Sequence, residues 1–150
     1  MHVFQSREQL DAELGTVRKW QRTGQALEAS LMLAKAEAHS IGDSLVYWWQ
    51  DAATLAAEDF VGHRRYLTVI SPQDGALTVQ VAPKMMLEPT EPYSDLTDRE
   101  RFVGVADEVT IPAMAICAFD IDEAYRVVPG QSGAVVTIHV TVEGYSFPNK

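Results

Sequence analysis

The chain has 150 residues, 47% of them apolar and 22% charged, a net charge of −9 and one cysteine. That length suits one domain, residues 1–150, with a full core, and one cysteine excludes an internal disulfide. Residues 1–65 carry seven Lys/Arg against nine Asp/Glu, a net of −2, and residues 66–150 carry five against twelve, a net of −7; the second part therefore repels nucleic-acid backbones and anionic lipid.

No basic stretch followed by an apolar block opens the chain, and no apolar run approaches the roughly 18 residues of a membrane helix. The expectation is a soluble cytoplasmic protein. Met1–Gln5 reads as a short edge strand or a docked tail. Ser6 then caps a helix, with Gln9 three residues on. Leu10, Leu14, Val17 and Trp20 share one face of it, and Thr23-Gly24 predicts a break. A second helix is expected over 25–38, where Leu27, Leu31, Ala34 and Ala38 form a stripe. Gly42 suits its stop and Asp43-Ser44 a new start. The aromatic run 44–50 has strand propensity and leads into a short helix through 52–59, although Leu45, Trp48, Ala52 and Leu55 also fall at helical spacing.

Residues 66–81 read as a β-hairpin. Leu67 and Val69 alternate with Tyr66, Thr68 and Ile70; Leu77, Val79 and Val81 alternate with Thr78 and Gln80. Between them Ser71-Pro72-Gln73-Asp74-Gly75 has turn chemistry. Pro89 to Asp95 reads as an extended, exposed loop, and Thr97-Asp-Arg-Glu100 as a capping box opening a helical turn. Strands are expected again at 102–105 and 109–119, with Pro112 at an edge or bulge. Ala134–Glu143 alternates cleanly: Val136, Ile138, Val140 and Val142 take one face, and Val135, Thr137, His139, Thr141 and Glu143 take the other. Helices early and strands late predict an α+β fold. In it, N-terminal helices pack on one face of a mainly antiparallel sheet of about four to six strands. The opposite, more polar face is left to solvent or a partner.

Chemistry is sparse. His139 and Glu143 share a strand face but stand about 13 Å apart along it, too far to share a proton. Asp120 and Asp122 face one way if extended, yet Ala124 and Tyr125 break the calcium-loop pattern, and a solvated turn is the plainer reading. The four histidines and Cys117 lack metal-site spacing, so no metal and no cofactor is expected. Cys117, in an apolar run, reads as a core thiol. No nucleophile elbow, phosphate loop or dinucleotide fingerprint occurs, which leans against an enzyme.

The acidic segment offers Glu88, Glu91, Tyr93, Asp95 and Asp98 as a docking surface, an aromatic among carboxylates that would steer a basic partner. The leading expectation is thus a non-catalytic protein-binding module of inhibitor, immunity or adaptor type. The alternative is a small-molecule-binding protein or enzyme. Its pocket would lie between helices and sheet and use Trp48 or Trp49, Arg65 and His139. Oligomeric state is left open.

Overall fold

Residues 1–42 and 45–142 are described by a computed structural model. In chain order, β1 (His2–Phe4) precedes α1 (Arg7–Leu14) and α2 (Arg18–Ser30), followed by β2 (His39–Ile41), β3 (Leu45–Asp51) and α3 (Ala52–Leu55). Strands then dominate: β4 (Phe60–Gly62), β5 (Tyr66–Pro72), β6 (Leu77–Pro83), β7 (Glu88–Ser94), β8 (Arg99–Val103), β9 (Asp107–Ile111), β10 (Ile116–Phe119), β11 (Glu123–Val127) and β12 (Ala134–Thr141).

These strands build two six-stranded sheets, β1-β10-β5-β12-β3-β2 and β7-β8-β4-β11-β6-β9. All the paired strands run antiparallel. With β1, β2, β7 and β8 set aside, eight strands remain. Renumbered along the chain, they lie 6-3-8-1 in one sheet and 2-7-4-5 in the other. Successive strands alternate between sheets, except that 4 and 5 pair within one, in the manner of a double-sheet jelly roll. The α+β expectation is therefore corrected to a mainly β sandwich.

The error has a local cause. β5 and β6 do not pair as a hairpin. β5 lies between β10 and β12 in the first sheet, and β6 lies between β11 and β9 in the second. The 73–76 turn crosses between sheets. The alternation was read as one buried and one wet face, but on the first sheet both faces are covered. Val136, Ile138 and Val140 of β12 pack outward with Tyr47, Leu10 and Ala26, where Leu14, Trp20 and Leu27 of the helices also contribute. Val135 packs inward with Ile70, Val79, Ile111 and Val127. The face left to solvent or a partner is the interior of the sandwich.

The helices also differ from expectation. Ser6 does cap α1, its Oγ accepting from Gln9 N at 3.1 Å. The break falls at Gly15, while Thr23-Gly24 lies inside α2. Gly24 lets the Arg7 guanidinium lie against the helix, where its Nη1 donates to Gly24 O at 2.6 Å; a Cβ there would push the tip of that flexible side chain aside. The second helix stops at Ser30, well short of Ala38. The 88–95 segment is not a free loop but the edge strand β7, where prolines lacking a donor are tolerated. Residues 95–98 form the turn into β8, which already holds Arg99 and Glu100, and no helical turn forms over Thr97–Glu100.

Candidate functional site

Because side chains alternate along a strand, every second residue of β3 and β12 enters the space between the sheets. Val46, Trp48 and Gln50 come from β3, and Thr137 and His139 from β12. From the facing sheet come Val61 of β4, Arg99 and Arg101 of β8, and Tyr125 and Val127 of β11. His63, just past β4, joins them. These residues line a cavity of about 600 Å³, within the range of small-molecule sites.

Two imidazoles form its polar end. The His63 and His139 ring centroids are 5.0 Å apart. Trp48 meets His139 edge-on at 4.9 Å, and Tyr66 stacks on it at 5.9 Å. His63 is buried, and its Nδ1 lies 2.6 Å from Asp98 O. A carbonyl can only accept, so Nδ1 carries the proton and Nε2 is left as an acceptor. Burial lowers the His63 pKa, aided by Arg99 and Lys84 and opposed by Asp98. Burial pushes His139 down to about 3, with His63 and Arg99 adding to it. Both rings are neutral at pH 7. Among the described residues, no hydrogen bond engages Nε2 of His63 or either nitrogen of His139. Thr137 Oγ1, beside them, is buried without a partner.

Asp98 anchors this end. It is 4% exposed and sits at φ 50°, a left-handed conformation that aspartate tolerates better than most residues. Its Oδ1 accepts from Arg64 N at 2.9 Å, Arg65 N at 3.1 Å and Tyr93 OH at 2.6 Å. Partial burial and that bond push the Tyr93 phenol up to about 12. Lys84 Nζ donates to His63 O at 2.6 Å and to Glu100 Oε2 at 2.9 Å. Although burial works against it, Arg64 and Lys84 hold the Glu100 carboxyl below the usual range.

The same contacts correct the docking-module expectation. Asp98 is turned inward, Glu91 pairs with Arg101 at 3.2 Å, and Asp95 pairs with Arg65. Tyr93 holds Asp98 and lies under the Arg64 guanidinium at 4.2 Å. Of the five residues offered as an acidic surface, Glu88 has neither an ion pair nor a side-chain hydrogen bond among the described residues. The concave site with open polar valences lies between the sheets, and it favours a small-molecule ligand.

The structure sorts the other candidates. Trp48 faces the cavity. Trp49 points the other way, its Nε1 donating to Leu33 O at 2.9 Å. Arg65 serves the Asp95 and Asp98 contacts and is not in the lining. Glu143, Asp43 and Ser44 lie outside the described residues. Asp120 and Glu123 bind the Met1 amino group at 3.1 and 2.6 Å. Cys117 is buried, and burial pushes its thiol up to about 12. Among the described residues, no three His, Cys, Asp or Glu side chains gather to hold a metal. No helix there is long and apolar enough to cross a membrane.

Sequence reasoning missed Arg99 and Arg101, and it set Thr137 beside His139 on one strand face without bringing His63 to them. The signal for Thr137 was present: a Thr-and-His face on a strand as apolar as β12 marks a lined interior more readily than a wet surface. What the set can do is accept a hydrogen bond or a proton at neutral imidazole, with both rings made weak bases by desolvation.

No family model matches the chain. Among solved structures, the chain is similar to hydroquinone 1,2-dioxygenase from Sphingomonas sp. TTNP3 with 4-hydroxybenzoate bound, at 14% identity and a TM-score of 0.46, over 77% of this chain and 71% of that one. It is also similar to E. coli ycfD, at 9% identity and 0.47, over 81% and 31% of the two chains. An RmlC-like cupin from Shewanella frigidimarina NCIMB 400 matches at 13% identity and 0.24, over 72% and 86%. All three scores are below 0.5, so the jelly-roll assignment rests on strand order alone.

Proposed function

We propose that this chain binds a small organic molecule in the cavity between its sheets, at the Trp48, His63 and His139 end. The observation that carries this is the convergence of unanswered polar atoms. Thr137 Oγ1 is buried without a partner, and it lines a roomy cavity together with two neutral imidazoles that have free acceptors. Buried polar groups are normally satisfied, and an orphan in a cavity calls for a guest that completes it. His63 presents an acceptor, so the guest brings a hydroxyl or N–H donor to that end.

The test is a fragment screen by saturation-transfer NMR on the wild-type chain and on Val46→Trp. Val46 is at the sandwich surface and lines the cavity, so the larger ring fills the space without disturbing the core. Fragments that bind the wild type should lose their signal in the variant. A screen with no binders, or one in which Val46→Trp binds equally well, removes the proposal.

A further inference from the structure

We propose, resting on that reading of the cavity, that its ligand is a small organic carboxylate whose charged group sits beside Arg99 and Arg101 and whose flat body lies against Trp48. The charge of the lining is opposite to that of the chain. Arg99, Arg101 and Arg126 line the cavity, with Asp59 as the only lining carboxylate among the described residues, in a chain of net charge −9. An acidic protein that brings three arginines to one concavity sets a local positive potential, focused by apolar walls.

The three are not equivalent. Arg126 is spent on structure: it donates to Gln80 Oε1 at 2.6 Å and to Glu58 O, and its guanidinium lies 4.8 Å from the Phe60 ring centroid. Arg101 is shared with Glu91 at 3.2 Å. Arg99 has no ion pair among the described residues. β8 places Arg99 and Arg101 two residues apart, on the same face. One uncommitted guanidinium and one shared, with Asp59 nearby, match a single negative charge better than a phosphate dianion. A guanidinium fork also fits a carboxylate in two-point fashion. Trp48 supplies the flat wall, and its edge-on contact with His139 fixes the indole plane.

The experiment compares benzoate with benzamide, two probes of nearly the same shape and different charge, by titration calorimetry or NMR. Benzoate should bind the wild type on the order of 10-fold or more tighter, the effect of one charge-assisted hydrogen bond. Arg99→Gln should abolish that preference while leaving benzamide binding within about two-fold. In the wild type, raising KCl should weaken benzoate and leave benzamide unmoved. That comparison needs no variant and so stands even if Arg99→Gln fails to fold. If benzamide binds as well as benzoate, or the preference survives in a folded Arg99→Gln, this inference falls and the small-molecule reading stands. If neither probe binds and the fragment screen is also empty, both fall.

Discussion

His139 is a neutral imidazole held inside the sandwich, and that has a pH signature. Its pKa is pushed down to about 3 in the folded chain, against roughly 6.5 when unfolded. Between those values the unfolded chain binds the extra proton. Stability is therefore complete above the unfolded value and is lost as the pH falls below it. His63 shifts in the same direction. Urea denaturation at pH 7 and pH 5 should show the wild type losing stability more steeply than His139→Phe. The two slopes should differ by up to ~1.4 kcal/mol per pH unit, and equal slopes would refute the assignment. Asp98 matters at the same scale, because its backbone carbonyl sets the tautomer of His63 while its carboxylate caps two amides. Tyr93→Phe should cost ~1 kcal/mol in the same assay. Asp98→Ala should cost more than ~2 kcal/mol, since it orphans those amides and places alanine at positive φ. None of this pairing was legible in the sequence. Asp98 and His63 are 35 residues apart, and the acids of 88–100 read as a surface because their partners lie on other strands.

At the scale of the element, β12 shows how far periodicity reaches. The alternation of Val136, Ile138 and Val140 against Val135, Thr137 and His139 was legible and matches the two faces of the strand. What lies over each face was not, because a strand's period does not say whether helix, sheet or water covers it. Adjacent substitutions on this strand should therefore move stability in opposite directions. Ile138→Ala opens a hole in the core under the helices and should cost ~2–5 kcal/mol. Thr137→Val removes a hydroxyl that has no partner and should stabilise the unliganded chain by up to ~1–2 kcal/mol. It should also weaken ligands that engage that hydroxyl. Chemical denaturation with and without a bound fragment reads both effects, and a destabilised Thr137→Val would mean the hydroxyl is satisfied after all.

Across the whole molecule, strand partners are distant in sequence: β12 pairs with β3 and β5, and β1 pairs with β10. That is why the sandwich was not legible, since turn chemistry and alternation are local signals and sheet order is not. The helices still matter globally, because they cover the outer face of the first sheet. Deleting residues 1–35 would bare Tyr47, Val136, Ile138 and Val140, and the truncated chain should elute as aggregate in size-exclusion chromatography; a well-behaved monomer would contradict that packing. The crossing from β5 to β6 has a further implication for engineering. In a ribbon of two paired strands, the length of the connecting turn dictates which residues face one another. Here the link at Pro72–Gly75 joins two plates that share no rungs, so lengthening it shifts no alignment. Gly75 faces open space, and the neighbouring Asp74 fastens the link by accepting from Ala134 N at 2.8 Å. A Gly-Ser pair spliced in after Gly75 should lower the melting temperature by only about 1–2 °C. The tip opposite the ligand end is thus a natural mooring for a tether, label or fused module.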